Sequence, residues 1–181
     1  EPVERRERFD HFGRRVQVQE ASDGTFPGVA TSYSYDVGNR LNRARTDAPG
    51  TAPDQVRCWD YDRRGLLVSE SHPEVGLGGN GTISYSNYDA LGHPRTKTDG
   101  PALLNYIYDA AAGLLEVQEA SAGSRALKQW TYANANAGSN RKLGRVETAV
   151  GYNYPIVDSV SMPLRFSESF TYSGPGGRAT A

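Results

Sequence analysis

Apolar and polar residues alternate with a period of two over short stretches of this chain. The pattern is clearest in Val16-Gln17-Val18-Gln19-Glu20 and around Leu115 and Val117. It predicts strands with one packed and one wet face. The aromatic residues sharpen the picture. Five doublets have their rings one position apart: Tyr33/Tyr35, Trp59/Tyr61, Tyr106/Tyr108, Trp130/Tyr132 and Phe170/Tyr172. In an extended strand, side chains at i and i+2 share a side, whereas a helix would separate them by about 200°. Each doublet precedes a glycine turn, after which a return strand is expected: Val16 to Glu20, Leu41 to Thr46, Leu66 to Ser71, Arg95 to Asp99 and Leu114 to Glu119. The Gly- and Pro-rich stretches 48–53 and 73–82 end strands rather than continue them. No amphipathic helix of ten or more residues survives these interruptions. The fold class expected is all-β, an antiparallel array of hairpins.

The turns repeat. Aligning on aromatic, aspartate and glycine gives Phe9-Asp10 with Gly13, Tyr35-Asp36 with Gly38, Tyr61-Asp62 with Gly65, Tyr88-Asp89 with Gly92, and Tyr108-Asp109 with Gly113. The aspartates are 26, 26, 27 and 20 residues apart, a spacing typical of stacked supersecondary units. Aspartate at position i and glycine at i+3 suit a type I turn whose last residue is left-handed and forms a bulge. The carboxylate can accept a backbone N–H two residues on, fixing the corner. In the second unit the Asp-to-Gly gap is one shorter, so Gly38-Asn39 is expected to form a two-residue loop. In the fifth the gap is one longer, and a wider loop is expected. Tyr132 with Gly144, after an insertion, and Tyr172 with the glycines at 174–177 are degenerate copies without the aspartate.

Composition changes the picture in one respect. Leu, Ile, Val and Phe together make up less than a fifth of the chain, while Tyr numbers 11 and Trp 2, so the cores should be thin and aromatic-rich. A net charge of −1 with both signs interspersed argues against nucleic acid or an anionic membrane as partner. The basic clusters Arg5-Arg6 and Arg141-Lys142 with Arg145 are read as solvated surface. The single cysteine, Cys58, beside Trp59, is read as a quiet, partly buried thiol. No apolar run is long enough to span a bilayer as a helix, and the first residues lack a secretion signal's apolar core, so any export signal lies outside this stretch or is absent.

Chemistry-bearing motifs are few. Gly76-Leu77-Gly78-Gly79-Asn80-Gly81 matches the letters of a dinucleotide fingerprint, but it runs into Thr82-Ile83-Ser84-Tyr85 rather than a helix, and a loop is expected. The repeated aspartates sit a full repeat apart, so turn formation, not calcium binding, is their expected role. His11, His72 and His93 share no metal spacing and are read as surface residues in or near turns. No catalytic set stands out, and no catalytic, cofactor-binding or metal residue is assigned. Asn80-Gly81-Thr82 fits a glycosylation acceptor. The ring-bearing strand faces are read chiefly as packing, with stacking on glycans as the alternative function.

At the aromatic-Asp-x-x-Gly steps the sequence resembles the YD repeat of Rhs proteins, teneurins and the shell-forming subunits of insecticidal toxin complexes. Tyr-Asp-Val-Gly-Asn-Arg-Leu at 35–41 and Tyr-Asp-Ala-Ala-Ala-Gly-Leu-Leu at 108–115 carry most of the likeness. It covers 9 to about 120 well and about 121–181 weakly, with all of 1–181 forming one repeat array, an excerpt of a longer chain. The resemblance implies a strip of a curled, spiralling β-sheet shell that encloses a polypeptide cargo of toxin type. It also implies a secreted or cell-surface, bacterial protein. Its expected partners are further YD-repeat strands of the same or a neighbouring chain.

Overall fold

The computed structural model describes residues 4–21, 28–47, 53–72, 81–111, 113–135, 142–157, 160–173 and 178–180. The chain divides into two compact units, Glu1–Tyr85 and Ser86–Ala181. The first contains β1 (Arg5–Phe9), β2 (Arg15–Glu20), β3 (Ala30–Tyr35), β4 (Leu41–Thr46), β5 (Gln55–Tyr61), β6 (Leu67–His72) and β7 (Gly81–Ser86). Each pairs antiparallel with its sequence neighbour, the simplest order that short hairpin connections allow. In one register line across β3, β4 and β5, Tyr33 faces Ala44 and Ala44 faces Arg57; on β5, β6 and β7, Trp59 faces Glu70 and Glu70 faces Ile83.

The second unit contains β8 (Thr96–Asp99), β9 (Ala102–Tyr108), β10 (Leu114–Glu119), β11 (Arg125–Tyr132), β12 (Val146–Asn153), β13 (Ile156–Val157), β14 (Val160–Ser161), β15 (Leu164–Ser169), β16 (Thr171–Ser173) and β17 (Arg178–Thr180). Here the order is β8 to β12 and then β15, with β13–β14 and β16–β17 as small separate ribbons. A single 3₁₀ turn, Ala120–Ala122, links β10 to β11. No α-helix occurs among the described residues.

All five expected return strands are present as β2, β4, β6, β8 and β10, within a residue of the bounds read from the sequence. Alternation sets their faces. On β4, Arg43 and Arg45 are exposed while Ala44 and Thr46 are half-buried. The core is as thin as the composition implies: Val18, Ala30, Ile83, Val117 and Ala133 are its only buried apolar residues among those described, and no described polar residue is buried as a whole. Half-buried rings therefore supply most of the apolar area removed from water. The insert residues 48–52 and 73–80 lie outside the described residues, and with them most of the dinucleotide-like string and Asn80; Gly81 opens β7, a strand.

Candidate functional site: the hairpin corners

Four corners are built alike. Gly13 N–H donates to the Asp10 carbonyl at 3.0 Å while Asp10 N–H donates to the Arg14 carbonyl at 2.9 Å. The same two bonds recur as Asn39 to Asp36 with Asp36 to Arg40, Gly65 to Asp62 with Asp62 to Leu66, and Gly92 to Asp89 with Asp89 to His93. The third residue after each aspartate is left-handed: Gly13 has φ 76°, Asn39 62°, Gly65 88° and Gly92 86°. This is the type I turn with a bulge that aspartate and glycine spacing favours.

Two sequence expectations are corrected here. The second corner is not a two-residue loop. Asn39 occupies the left-handed position, which asparagine tolerates, and Gly38 sits one place earlier without positive φ. The fifth corner is not wider either, because Asp109 N–H reaches the Gly113 carbonyl at 2.9 Å, four residues on as elsewhere. Gly113 therefore stands in the place of Arg14 and Arg40 and lacks positive φ; the residue before it, Ala112, lies outside the described residues.

Each aspartate clamps its corner through one oxygen. Asp10 Oδ1 accepts from Phe12 N–H (2.9 Å) and Arg14 N–H (3.0 Å), and Asp36, Asp62, Asp89 and Asp109 repeat the pair between 2.7 and 2.9 Å. In four corners the second oxygen takes a cationic or imidazole donor: Arg14 Nε and Arg40 Nε at 2.7 Å, Arg64 Nε at 3.0 Å and His93 Nδ1 at 3.1 Å. Four carboxyl groups are held below their ordinary range. For Asp36 the Arg40 side chain is the main cause, for Asp62 the Leu66 N–H and for Asp89 the His93 N–H. For Asp10, partial desolvation opposes the shift but the Arg14 and Phe12 donors outweigh it.

A carboxyl group whose pKa is lower folded than unfolded stabilises the fold above the unfolded value of 3.8 and loses that contribution as pH falls through the lower folded value. Glu70 shifts in the same direction. The thermal midpoint is therefore expected to hold near neutrality and fall as the pH drops below about 4. Replacing Asp10, Asp36, Asp62 and Asp89 together by Asn should flatten that acid limb in a calorimetric pH series. An unchanged limb would remove the clamps from the stability argument.

The tyrosine that forms the second ring of each of the five doublets ties its hairpin to the preceding one. Tyr35 Oη donates to the Arg15 carbonyl (2.8 Å), Tyr61 to Leu41 (3.0 Å), Tyr108 to Pro94 (3.3 Å), Tyr132 to Leu114 (2.9 Å) and Tyr172 to Val146 (2.6 Å). In the first four, the acceptor is the fifth residue after the preceding unit's corner aspartate. The fourth residue after that aspartate covers the ring. The Arg14 guanidinium lies 4.8 Å from the Tyr35 ring centre, Arg40 4.7 Å from Tyr61, and the His93 ring stacks on Tyr108 at 4.8 Å. At Gly113 an added Cβ would meet Tyr132 Cε2 at 3.1 Å, so the tyrosine packs directly on the glycine there. One side chain thus serves two hairpins: Arg40 closes its own corner on Asp36 and covers the next unit's tyrosine.

The degenerate units keep this frame without the aspartate. Ala133 takes its place: Gly144 N–H donates to the Ala133 carbonyl and Ala133 N–H to that of Arg145, both at 2.8 Å, with Gly144 at φ 74°. The insertion is accommodated between Ala133 and Gly144, and Arg145 lies 5.4 Å from the Tyr172 ring centre. Phe170, between β15 and β16, donates its N–H to the Glu147 carbonyl. Residues 174–177, with Gly174, Gly176 and Gly177, are outside the described residues.

The first ring of each doublet does something else. Tyr33 and Trp59 help to line a trough with Leu41, Ala44 and Arg57, in which Ala44 lies between Tyr33 and Arg57, and Trp130 and Phe166 help to line another with Ala149 and Gly151. Tyr106 faces Val117 across β9 and β10. Beside Trp59, Glu70 accepts from Tyr85 Oη at 2.7 Å and pairs with His72 Nε2 at 3.2 Å. Reading the doublets as two equivalent rings overlooked this division. The sequence sign that reveals it is the aspartate, which follows the second ring in the Tyr33/Tyr35, Trp59/Tyr61 and Tyr106/Tyr108 doublets.

The remaining candidates stay apart. His93 and His72 are integrated into the corner and the Glu70 cluster, so two of the three histidines are more than surface turn residues. His11 lies against Phe12. No group of three or more His, Cys, Asp or Glu side chains could hold a metal among the described residues. Cys58 is half-buried. Arg5 and Lys142 pair with Glu7 and Glu147. Among the described residues no helix is long and apolar enough to cross a membrane. Compared with protein-family models and with curated proteins, the chain finds no match.

Proposed function

We propose that this chain is a non-catalytic wall segment of the YD-repeat kind, a strip of a curled β-sheet shell that encloses or displays another polypeptide, as its resemblance to Rhs proteins implies. One observation carries the reading: the most repeated residues are spent on joining hairpin to hairpin. Tyr35, Tyr61, Tyr108, Tyr132 and Tyr172 each donate a hydroxyl to the backbone of the preceding unit, and five corner aspartates are occupied by turn N–H groups. Carboxylates so saturated are poorly placed for acid–base work, whereas a ladder of such ties lets identical units add one after another. Enclosure would be a matter of extending that ladder with further strands, on a secreted or cell-surface protein.

The test is limited proteolysis of the complete gene product from which this chain comes. A wall predicts that a polypeptide encoded alongside it survives protease while the wall is intact and is digested once the wall is opened by Tyr→Ala changes at the ties. Equal digestion in both states would refute enclosure.

A further inference from the structure

Glu70 stands on β6 and gathers partners from three strands. Its Oε1 accepts the Tyr85 hydroxyl of β7 at 2.7 Å, and its Oε2 pairs with His72 Nε2 at 3.2 Å. Trp59 lies directly across from it on β5 and Ile83 directly across on β7. The His72 ring meets the Trp59 ring edge-on at 6.2 Å. The Glu70 and His72 side chains are only 17% and 24% exposed, so water is a poor substitute for these partners. The hydroxyl ties of Tyr35 and Tyr61 end on backbone carbonyls, which acid does not alter. Tyr85 ends on a carboxylate, which it does. A Glu–His pair can begin a metal site, but among the described residues no third His, Cys, Asp or Glu joins this one.

We infer that this cluster is an acid-sensitive latch between β6 and its two neighbours: protonation of Glu70 releases the Tyr85 hydroxyl and the Trp59 ring and loosens β7 from β6. An ionised carboxylate accepts at both oxygens, as Tyr85 and His72 require. The protonated acid commits one oxygen to its own O–H, and an imidazolium beside it has no anion left to pair with. Partial burial disfavours the charge on Glu70, but the Tyr85, His72 and Trp59 side chains outweigh it and hold the carboxyl below its ordinary value of 4.5. The latch is therefore shut above pH 4.5 and opens as the pH falls through the lower folded value. The other titratable groups on this side of the sheet are Arg57 and Tyr61 on β5, His72 on β6 and Tyr85 on β7. Arginine and tyrosine keep one charge state throughout the acid range, which leaves Glu70 and His72 to titrate. Protonating His72 alone strengthens its pairing with the carboxylate, so opening requires Glu70. The inference concerns the sheet itself and does not depend on the wall reading.

The experiment uses the full chain with Trp130→Phe, which leaves Trp59 as its only tryptophan. Trp59 emission and its quenching by acrylamide are recorded from about pH 7 to about pH 3.5, beside the far-UV circular dichroism. Both should change in one step with a midpoint below 4.5, quenching rising about twofold, while the strand signal is retained. Glu70→Gln, which cannot ionise, should show near neutrality the quenching of the parent in acid and stay flat across the range. Tyr85→Phe keeps the ring but withdraws one donor from the carboxylate, so its midpoint should rise by about half a pH unit or more. Replacing the four corner aspartates by Asn should leave the step where it is, which separates the latch from the corner clamps. Circular dichroism identifies any variant that fails to fold; should Glu70→Gln do so, the midpoint of Tyr85→Phe decides. A flat profile in the parent, a step that coincides with loss of the strand signal, a step that survives Glu70→Gln, or a midpoint that Tyr85→Phe leaves unmoved would overturn the inference. Each of these results would leave the proteolysis test of the wall untouched.

Discussion

Replacing Gly65 by Val is expected to lower the thermal midpoint of the first unit by roughly 10 °C. Gly65 has φ +88°, and a side chain in the left-handed region costs about 1–2 kcal/mol, more when branched at Cβ. The added Cβ would also lie 3.0 Å from Arg40 Nη1, and that guanidinium already serves both Asp36 and the ring of Tyr61. A total near 2 kcal/mol or slightly more corresponds to about 10 °C for a unit of this size. Gly65→Asn supplies the control, because Asn39 holds the equivalent position at φ 62° in the preceding corner. Asparagine should therefore recover much of the loss. If valine leaves the melting curve where it was, the corner assignment is wrong.

Tyr61→Ala is expected to be the costlier change, at about 2–4 kcal/mol. Three contributions are lost: a half-buried ring, a hydrogen bond to the Leu41 carbonyl at 3.0 Å worth about 1 kcal/mol, and a guanidinium contact at 4.7 Å worth about 0.5–1 kcal/mol. Tyr61→Phe isolates the hydroxyl and should cost only about 1 kcal/mol. Because the tie joins neighbouring hairpins, the damage should be local in hydrogen exchange, fastest in β4 to β6, with β9 to β12 protected as before. Uniform loss of protection across both units would mean that the ties do not act pair by pair.

Much of this architecture is legible in the residues because it is local. An aspartate, its N–H donors two and four residues on and a left-handed residue in between lie within five consecutive positions, so Asp10-to-Arg14 and Asp62-to-Leu66 advertise their corners directly. The misreadings at Gly38 and Gly113 have one cause. Glycine was taken as the marker of the left-handed position, yet Asn39 can adopt it, and the backbone counts residues from the aspartate rather than to the glycine. The sixth corner was legible only as a degenerate copy, Tyr132 with Gly144 after an insertion; that Ala133 stands in the aspartate's place shows only in the backbone hydrogen bonds that close it.

The function of the fourth residue after each aspartate was hidden as well. Arg40 could be seen as a partner for Asp36, but its place over Tyr61 depends on how β4 pairs with β5. Likewise, Glu70, His72 and Tyr85 come from neighbouring strands and gather only in the assembled sheet.

The amino-acid order alone thus determined that the chain is a succession of antiparallel hairpins, where their corners fall and which face of each strand is packed, since these follow from torsional preferences and side-chain alternation within a few residues. The tertiary structure alone decided which carbonyl each tyrosine hydroxyl reaches, 14 to 26 residues away, and that Ala44 comes to lie between Tyr33 and Arg57. Those contacts are set by strand register, and register is fixed only when bulges, turns and cross-strand packing are satisfied together.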